Sequence, residues 1–344
     1  MLKIIKYLKN KKKKEDSEFF HYLNKYSKVD ECILCHKKMS SSCKSHVVPQ
    51  FILKNISENG KVAYGISLSN IEINGFDKET GIKNAHTFRL ICNECDNHFF
   101  KDYENKKNLI SFDNLSKDLK IKVLCEMAIK TRISHINMKY RTMVMKDMFT
   151  GGKLAEKEEK GEIIFGERVD MEDHFKMIDI FRQNIYSNKN PFHILFNELL
   201  DYKVLIASQT IVNYNFDLDG NKIFDPYNVS YNNICNYFYI MILPFEDKTR
   251  IMFYVENEKM KNVESIINGF NSLSYVDKLK FIFISLVIHD EQFYLNPNLA
   301  NYINMNDKKL KKLYIKSEKN LKYTNKIKDF RKYNNYLSDK SINP

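Results

Sequence analysis

The sequence has no tryptophan, no internal repeat, no glycine-rich phosphate loop and no apolar run near the roughly 18 residues that a membrane span needs. The apolar block after Met1 is too short for a signal peptide. These absences predict a soluble, cytoplasmic protein with no membrane association; the missing tryptophan, beside abundant Lys, Asn and Ile, reflects base composition and carries no functional weight. Cysteine is scarce as well. There are seven, an odd number, and four of them fall in two Cys-x-x-Cys pairs, which fits a metal site in a reducing compartment better than a disulfide framework. Core material, by contrast, is plentiful: 43% of the 344 residues are apolar, with 24 Phe and 21 Tyr, enough for two or three globular domains.

The formal net charge of +12 is concentrated at the two ends. Residues 1–14 carry seven Lys and no acid, and residues 307–340 carry twelve Lys or Arg against four acids. Ends of this kind act as electrostatic arms, either reaching nucleic-acid phosphates or serving as solubilising tails. Leu2, Ile4, Ile5, Tyr7 and Leu8 alternate with Lys in a short amphipathic pattern, read as a basic arm or first helix docking locally rather than as a membrane-surface helix. Residues 17–27 read as helical.

Chemistry concentrates between Cys32 and Glu104. Cys32/Cys35 and Cys92/Cys95 form two knuckles, and each knuckle turns its backbone so that both sulfurs point at one ion. Together they predict one structural Zn2+ cross-brace, leaving Cys43, Cys125 and Cys235 as free thiols and His36 facing solvent. Between the knuckles lies Ser45-His46-Val47-Val48-Pro49. Alternation predicts strands at 62–68 and 87–91, the second leading into Cys92. Asp96-Asn97-His98-Phe99-Phe100-Lys101-Asp102-Tyr103-Glu104 has helical spacing with Phe99, Phe100 and Tyr103 in the core. The order is knuckle, histidine, strands, knuckle, helix.

"SHVVPQFILKNI" followed by "GIKNAHTFRLICNECDNHFFKDYEN" resembles the His-Asn-His (HNH) nuclease superfamily, in particular a bacterial group with a Ser-His start and a Cys-x-x-Cys-Asp finish. The resemblance covers about residues 31–105. It implies a ββα-metal unit braced by zinc and a metal-dependent endonuclease hydrolysing DNA phosphodiesters, with restriction or phage defence as a setting. Hydrolysis needs an activated water and a cation for the phosphate oxygens. His46 is the expected general base, its ring oriented by a carbonyl. A catalytic Mg2+ or Mn2+ is expected at the oxygen-rich start of the helix, with Asp96 and His98 as ligands and Asn97 beside them. Asp96 could instead cap the helix. Glu104 is a more distant candidate: on an unbroken helix it cannot share an ion with Asp96, so it caps or orients His46 instead. Asn84 or His86 fills the middle position of the motif. Ser45 stands where the family usually has a metal-binding residue. That departure supports two alternatives, a zinc module that binds nucleic acid without cutting it and a regulatory or interaction protein in which zinc is only a brace.

Past residue 110 the pattern predicts an α+β domain of helices and a small antiparallel sheet. Helices are expected at 117–148 (Leu124, Met127, Ile129 and Ile133 inward; Arg132, Lys139 and Arg141 outward), at 171–187, briefly after Pro191, and at 259–269 and 274–288. Strands are expected at 203–214, 236–245 and 249–256, with a turn at Asp219-Gly220. The division is a basic arm and helix (1–30), a zinc-braced HNH-like unit (31–110), an α+β domain (111–305) and a basic C-terminal helix or tail (306–344). The C-terminal domain would recognise a target, a partner protein or a second copy in a homo-oligomer.

Overall fold

A computed structural model of the chain describes residues 29–39, 43–64, 76, 78–85, 87–149, 166–225, 228, 235–289, 293–319 and 327–338. The N-terminal arm and its helix, strand positions 65–68, His86, the loop at 151–161 and parts of the C-terminal tail lie outside the described residues.

The fold is mixed helix and sheet. Its organising layer is a seven-stranded sheet made of β2 (Lys61–Tyr64), β3 (Lys78–Gly81), β5 (Phe192–Leu200), β6 (Ile206–Asn213), β7 (Tyr237–Pro244), β8 (Thr249–Glu256) and β9 (Tyr294–Leu295). The order across it is β3-β2-β9-β6-β7-β8-β5, and every neighbouring pair is antiparallel. A separate two-stranded ladder pairs β1 (Ser45–His46) with β4 (Thr87–Phe88).

Two-residue periodicity sorts the sheet's side chains between two cores. Tyr237, Tyr239, Met241 and Leu243 face one side, while Phe238, Ile240 and Ile242 face the other. Both faces of β7 and β8 are buried along their whole length. Strands covered on both sides read as continuous apolar runs, as in "YFYIMILP" and the "IMFYV" inside "TRIMFYVE".

The first core lies under α1 (Gln50–Ile56), α2 (Asn93–Phe99), α3 (Lys106–Ile110), α4 (Lys117–Phe149) and α5 (Gly166–Ser187). The second lies under α6 (Glu264–Asn271), α7 (Tyr275–His289), α8 (Pro297–Asn306) and α9 (Lys308–Lys319). The expected "small" sheet is therefore the central layer of three. It takes β2 and β3 from the segment between the two knuckles, so its strands come from both sides of residue 110.

Two local expectations fail. Pro191 opens β5 and not a short helix. β5 is an edge strand with only β8 as partner, and a proline at such a strand start gives up no ladder hydrogen bond. The spacing of Phe192, Phe196 and Leu200 imitates a helix face, but a register irregularity between Ile194 and Phe196 turns Phe192 into the first core and Phe196 and Leu200 into the second. The second failure is Arg132, expected in solvent and found fully buried. Its guanidinium donates to Tyr239 Oη at 2.7 Å, Asp173 at 3.0 Å and Glu256 at 2.5 Å. The Asp219-Gly220 turn forms, with Gly220 at φ +92°, inside the long β6–β7 connection.

α4 is the helix around which the molecule closes. Nearly all of its residues from Ile121 to Asn137 are buried, including Glu126, Lys130, Thr131, Arg132 and Ser134. A helix buried on all sides is normally apolar. Each polar group on this one therefore needs a partner supplied by a neighbouring element.

Candidate metal centre and the adjoining acid cluster

The first knuckle is a tight loop: Glu31 bridges Lys38, Cys32 N donates to Lys37 O at 3.0 Å, and His36 N donates to Cys32 O at 2.8 Å. His36 takes a left-handed conformation, φ +57°, to make the turn, and its side chain is exposed as expected. The second knuckle begins α2. Cys92 is the N-cap, its sulfur accepting from Cys95 N at 3.5 Å. The knuckles are joined by the run from Cys43 to His46, which lies against 87–91: Ile33 N donates to Leu90 O and Cys43 N to Ile91 O, both at 3.0 Å.

This backbone brings the four sulfurs of Cys32, Cys35, Cys92 and Cys95 within 4.8 Å of one another, with Cys35 and Cys92 at 3.8 Å. Four sulfurs bound tetrahedrally to one zinc ion stand about 3.8 Å apart, so the cluster fits a metal ion such as Zn2+. Its electrostatics are uneven. Burial raises the Cys32 thiol, but backbone N–H groups of Cys35, Cys92 and Leu34 outweigh it and bring the group down to about 7. Burial and the neighbouring sulfurs drive Cys95 far upward. Crowded thiols that resist ionisation are the ones a cation stabilises most.

Beside this cluster is a second constellation. Asp96 lies inside the first turn of α2, so it does not cap the helix; Cys92 does. Its carboxylate accepts from Ser45 Oγ at 2.6 Å, Cys43 Sγ at 3.1 Å and Lys130 Nζ at 3.3 Å. Burial raises the Asp96 carboxyl, yet the Lys130 charge and the Ser45 and Cys43 hydrogen bonds prevail and hold it below the usual carboxylate range. Burial, and after it the same carboxylate, push the Cys43 thiol up to about 12.

Glu104 reaches this group too, through Lys130. An unbroken helix would hold Asp96 and Glu104 apart, but α2 stops at Phe99 and a turn carries the chain back. Both carboxylates thus meet one ammonium from α4. Glu104 does not orient His46: the ring's Nε2 lies 3.0 Å from Ile82 O. A carbonyl can only accept, so Nε2 carries the proton and Nδ1 carries the lone pair. Burial first, and the Lys130 and Lys44 charges after it, hold the half-buried imidazole below its ordinary 6.5. His46 is therefore a neutral base at pH 7.

Other expected residues stay out of the cluster. Asn97 and His98 are exposed on α2, and Asn84 is exposed, accepting from Lys44 Nζ. Among the described residues only the four cysteines gather as three or more metal-ligating side chains. The donors around Asp96 do not fit a hard divalent ion as they are arranged, because the carboxylate is committed to a hydroxyl, a thiol and an ammonium. Sequence reasoning missed Cys43, Lys44, Arg89 and Lys130. Lys44 and Arg89 flank the β1–β4 ladder, near enough that Arg89, after burial, helps depress Lys44; their places beside Ser45 and Phe88 were a legible signal. Lys130 had none, since it lies some thirty residues downstream in an ordinary helical pattern.

No protein-family model, curated protein or solved structure matches this chain.

Proposed function

We propose that the protein is a nuclease of the HNH kind, hydrolysing phosphodiester bonds of nucleic acid, with Zn2+ on Cys32, Cys35, Cys92 and Cys95 as a brace. DNA as substrate, and restriction or phage defence as setting, follow the sequence resemblance. The observation that carries the reading is the state of His46: a half-buried, neutral imidazole whose Nε2–H is held by a backbone carbonyl, one residue from a serine tied to Asp96.

His46 Nδ1 takes the proton of a water whose oxygen bonds to phosphorus as the P–O bond to the leaving nucleoside breaks; the leaving oxygen takes its proton from solvent. Lys44 and Arg89 supply positive charge for the phosphate on either side of the ladder. Asp96 holds Ser45 and with it the end of β1. No step is routed through a divalent ion.

The test is cleavage of plasmid and single-stranded DNA and of RNA by the full chain, with and without added Mg2+ or Mn2+. His46→Ala should lower the rate by about a hundredfold or more with zinc content and circular dichroism unchanged. The wild-type rate should fall at low pH with an apparent pKa below 6.5. An unchanged rate in His46→Ala, or no cutting of any substrate, would end this reading. A second reading, a zinc module that binds nucleic acid without cutting, draws on the commitment of Asp96 to Ser45, Cys43 and Lys130; salt-sensitive binding without cleavage would be its mark.

A further inference from the structure

The meeting of Asp96 and Glu104 has the form of a cation site. Two carboxylates arrive from the two ends of a broken helical segment and face one point, the commonest protein contribution to a bound divalent ion. That point is held by Lys130. Its side chain is 1% exposed, against 18% for Asp96 and 35% for Glu104, and its ammonium also lies 4.7 Å from the Phe100 ring centroid. Two of its three donors serve the carboxylates, and the aromatic face receives the remaining charge. The lysine comes from the most enclosed stretch of α4, where Ile129 and Thr131 on either side are fully buried.

We propose that Lys130 is the resident cation of this centre: its ammonium takes the place between Asp96 and Glu104 that a divalent metal would otherwise occupy, and it excludes that metal. A dication entering here would lie within a few ångströms of a fixed positive charge in a poorly solvated site, and like charges at that range repel strongly. It would also have to displace the Ser45 hydroxyl and the Cys43 thiol from Asp96. In the nuclease reading, on which this assignment rests for its context, Lys130 is a positioning residue. It fixes Asp96, Asp96 fixes Ser45, and Ser45 precedes the base. Metal binding itself can be measured without any appeal to cleavage.

The experiment is a Mn2+ titration followed by electron paramagnetic resonance on the full, zinc-loaded chain, comparing wild type with Lys130→Met, Lys130→Arg, Asp96→Asn and the Lys130→Met/Asp96→Asn double variant. Wild type and Lys130→Arg should show no Mn2+ site that depends on Asp96. Lys130→Met should bind about one Mn2+ per chain at least tenfold more tightly than wild type, and the double variant should lose that site. A purely structural lysine would not give this pattern, since arginine would not restore exclusion and the double variant would not reverse it. A wild-type site removed by Asp96→Asn overturns the proposal, as does a folded Lys130→Met that binds no better than wild type. Where Lys130→Met does not fold, the comparison of wild type with Asp96→Asn decides alone: an Asp96-dependent site overturns the assignment, and its absence upholds it. Loss of the nuclease reading, through a chain that cuts nothing, leaves these metal-binding outcomes unaltered, so the two failures are told apart.

Discussion

Glu126 occupies a buried position on α4, with one oxygen accepting the Tyr103 N–H at 2.7 Å and the other unpartnered. Burial is the main reason its carboxyl is pushed up to about 8 from an ordinary 4.5. Stability from this group is complete below about pH 4.5 and is lost as pH rises through 8, because the unfolded chain releases the proton first. Glu126→Gln keeps an acceptor for Tyr103 and removes the charge. Urea unfolding at pH 6 and pH 9 should therefore show wild type losing on the order of 2 kcal/mol more than the variant across that interval; parallel losses would refute the assignment. Arg132 presents the opposite case. Arg132→Met leaves Glu256 buried without its counter-charge, while Asp173 keeps only Lys259 at 3.6 Å, and should cost about 3–5 kcal/mol, measured in the same way, with a loss under about 1 kcal/mol counting against it. Sequence periodicity cannot separate these two residues from solvent-facing ones. Their partners, Tyr103, Asp173, Tyr239 and Glu256, are distant in the chain, and a charge looks exposed until its counter-charge is known.

Elements show the same division between local and distant causes. The knuckles, the starts of the strands expected at 62–68 and 87–91 and the strands after residue 200 were legible because two-residue alternation and Cys-x-x-Cys spacing are local signals; the short strand at Ser45–His46 was not expected. The end of α2 at Phe99 was not, since nothing in "DNHFFKDYEN" stops a helix. What turns the chain there is tertiary: Phe100 and Tyr103 are drawn into the core, and Tyr103 Oη donates its proton to Gln209 on β6, with Val47 O 3.1 Å away. The metal cluster ties the first knuckle to the start of α2, beside the Ile33–Leu90 and Cys43–Ile91 backbone bonds, so replacing one ligand should loosen the whole region. Cys95→Ser, a change in the knuckle at the start of α2, should abolish stoichiometric zinc and raise the protease sensitivity of 31–105 together with that of β6–β8. Protection of 31–105 equal to wild type, with zinc gone, would mean that the brace is dispensable.

At the scale of the molecule, one apolar cluster runs from Cys32 and Val47 through α4 to Tyr239 and Met252, and hydrogen bonds cross it from Asn55 to Pro244 O at 2.9 Å and from Asn296 to Ile56 O at 3.1 Å. The described residues should consequently unfold together. Calorimetry should show one transition that moves down as a whole when zinc is chelated, whereas two well-separated transitions would mark 31–110 as a unit that unfolds independently. No described helix is long and apolar enough to cross a membrane. The strand order also sets a timetable. β9, only Tyr294 and Leu295, is inserted between β2 and β6, so the β2–β3 hairpin, made early in synthesis, has no place in the sheet until the chain has been extended past residue 295. Until then it exposes one row of unpaired backbone groups, and the slowest closure in folding joins segments more than two hundred residues apart.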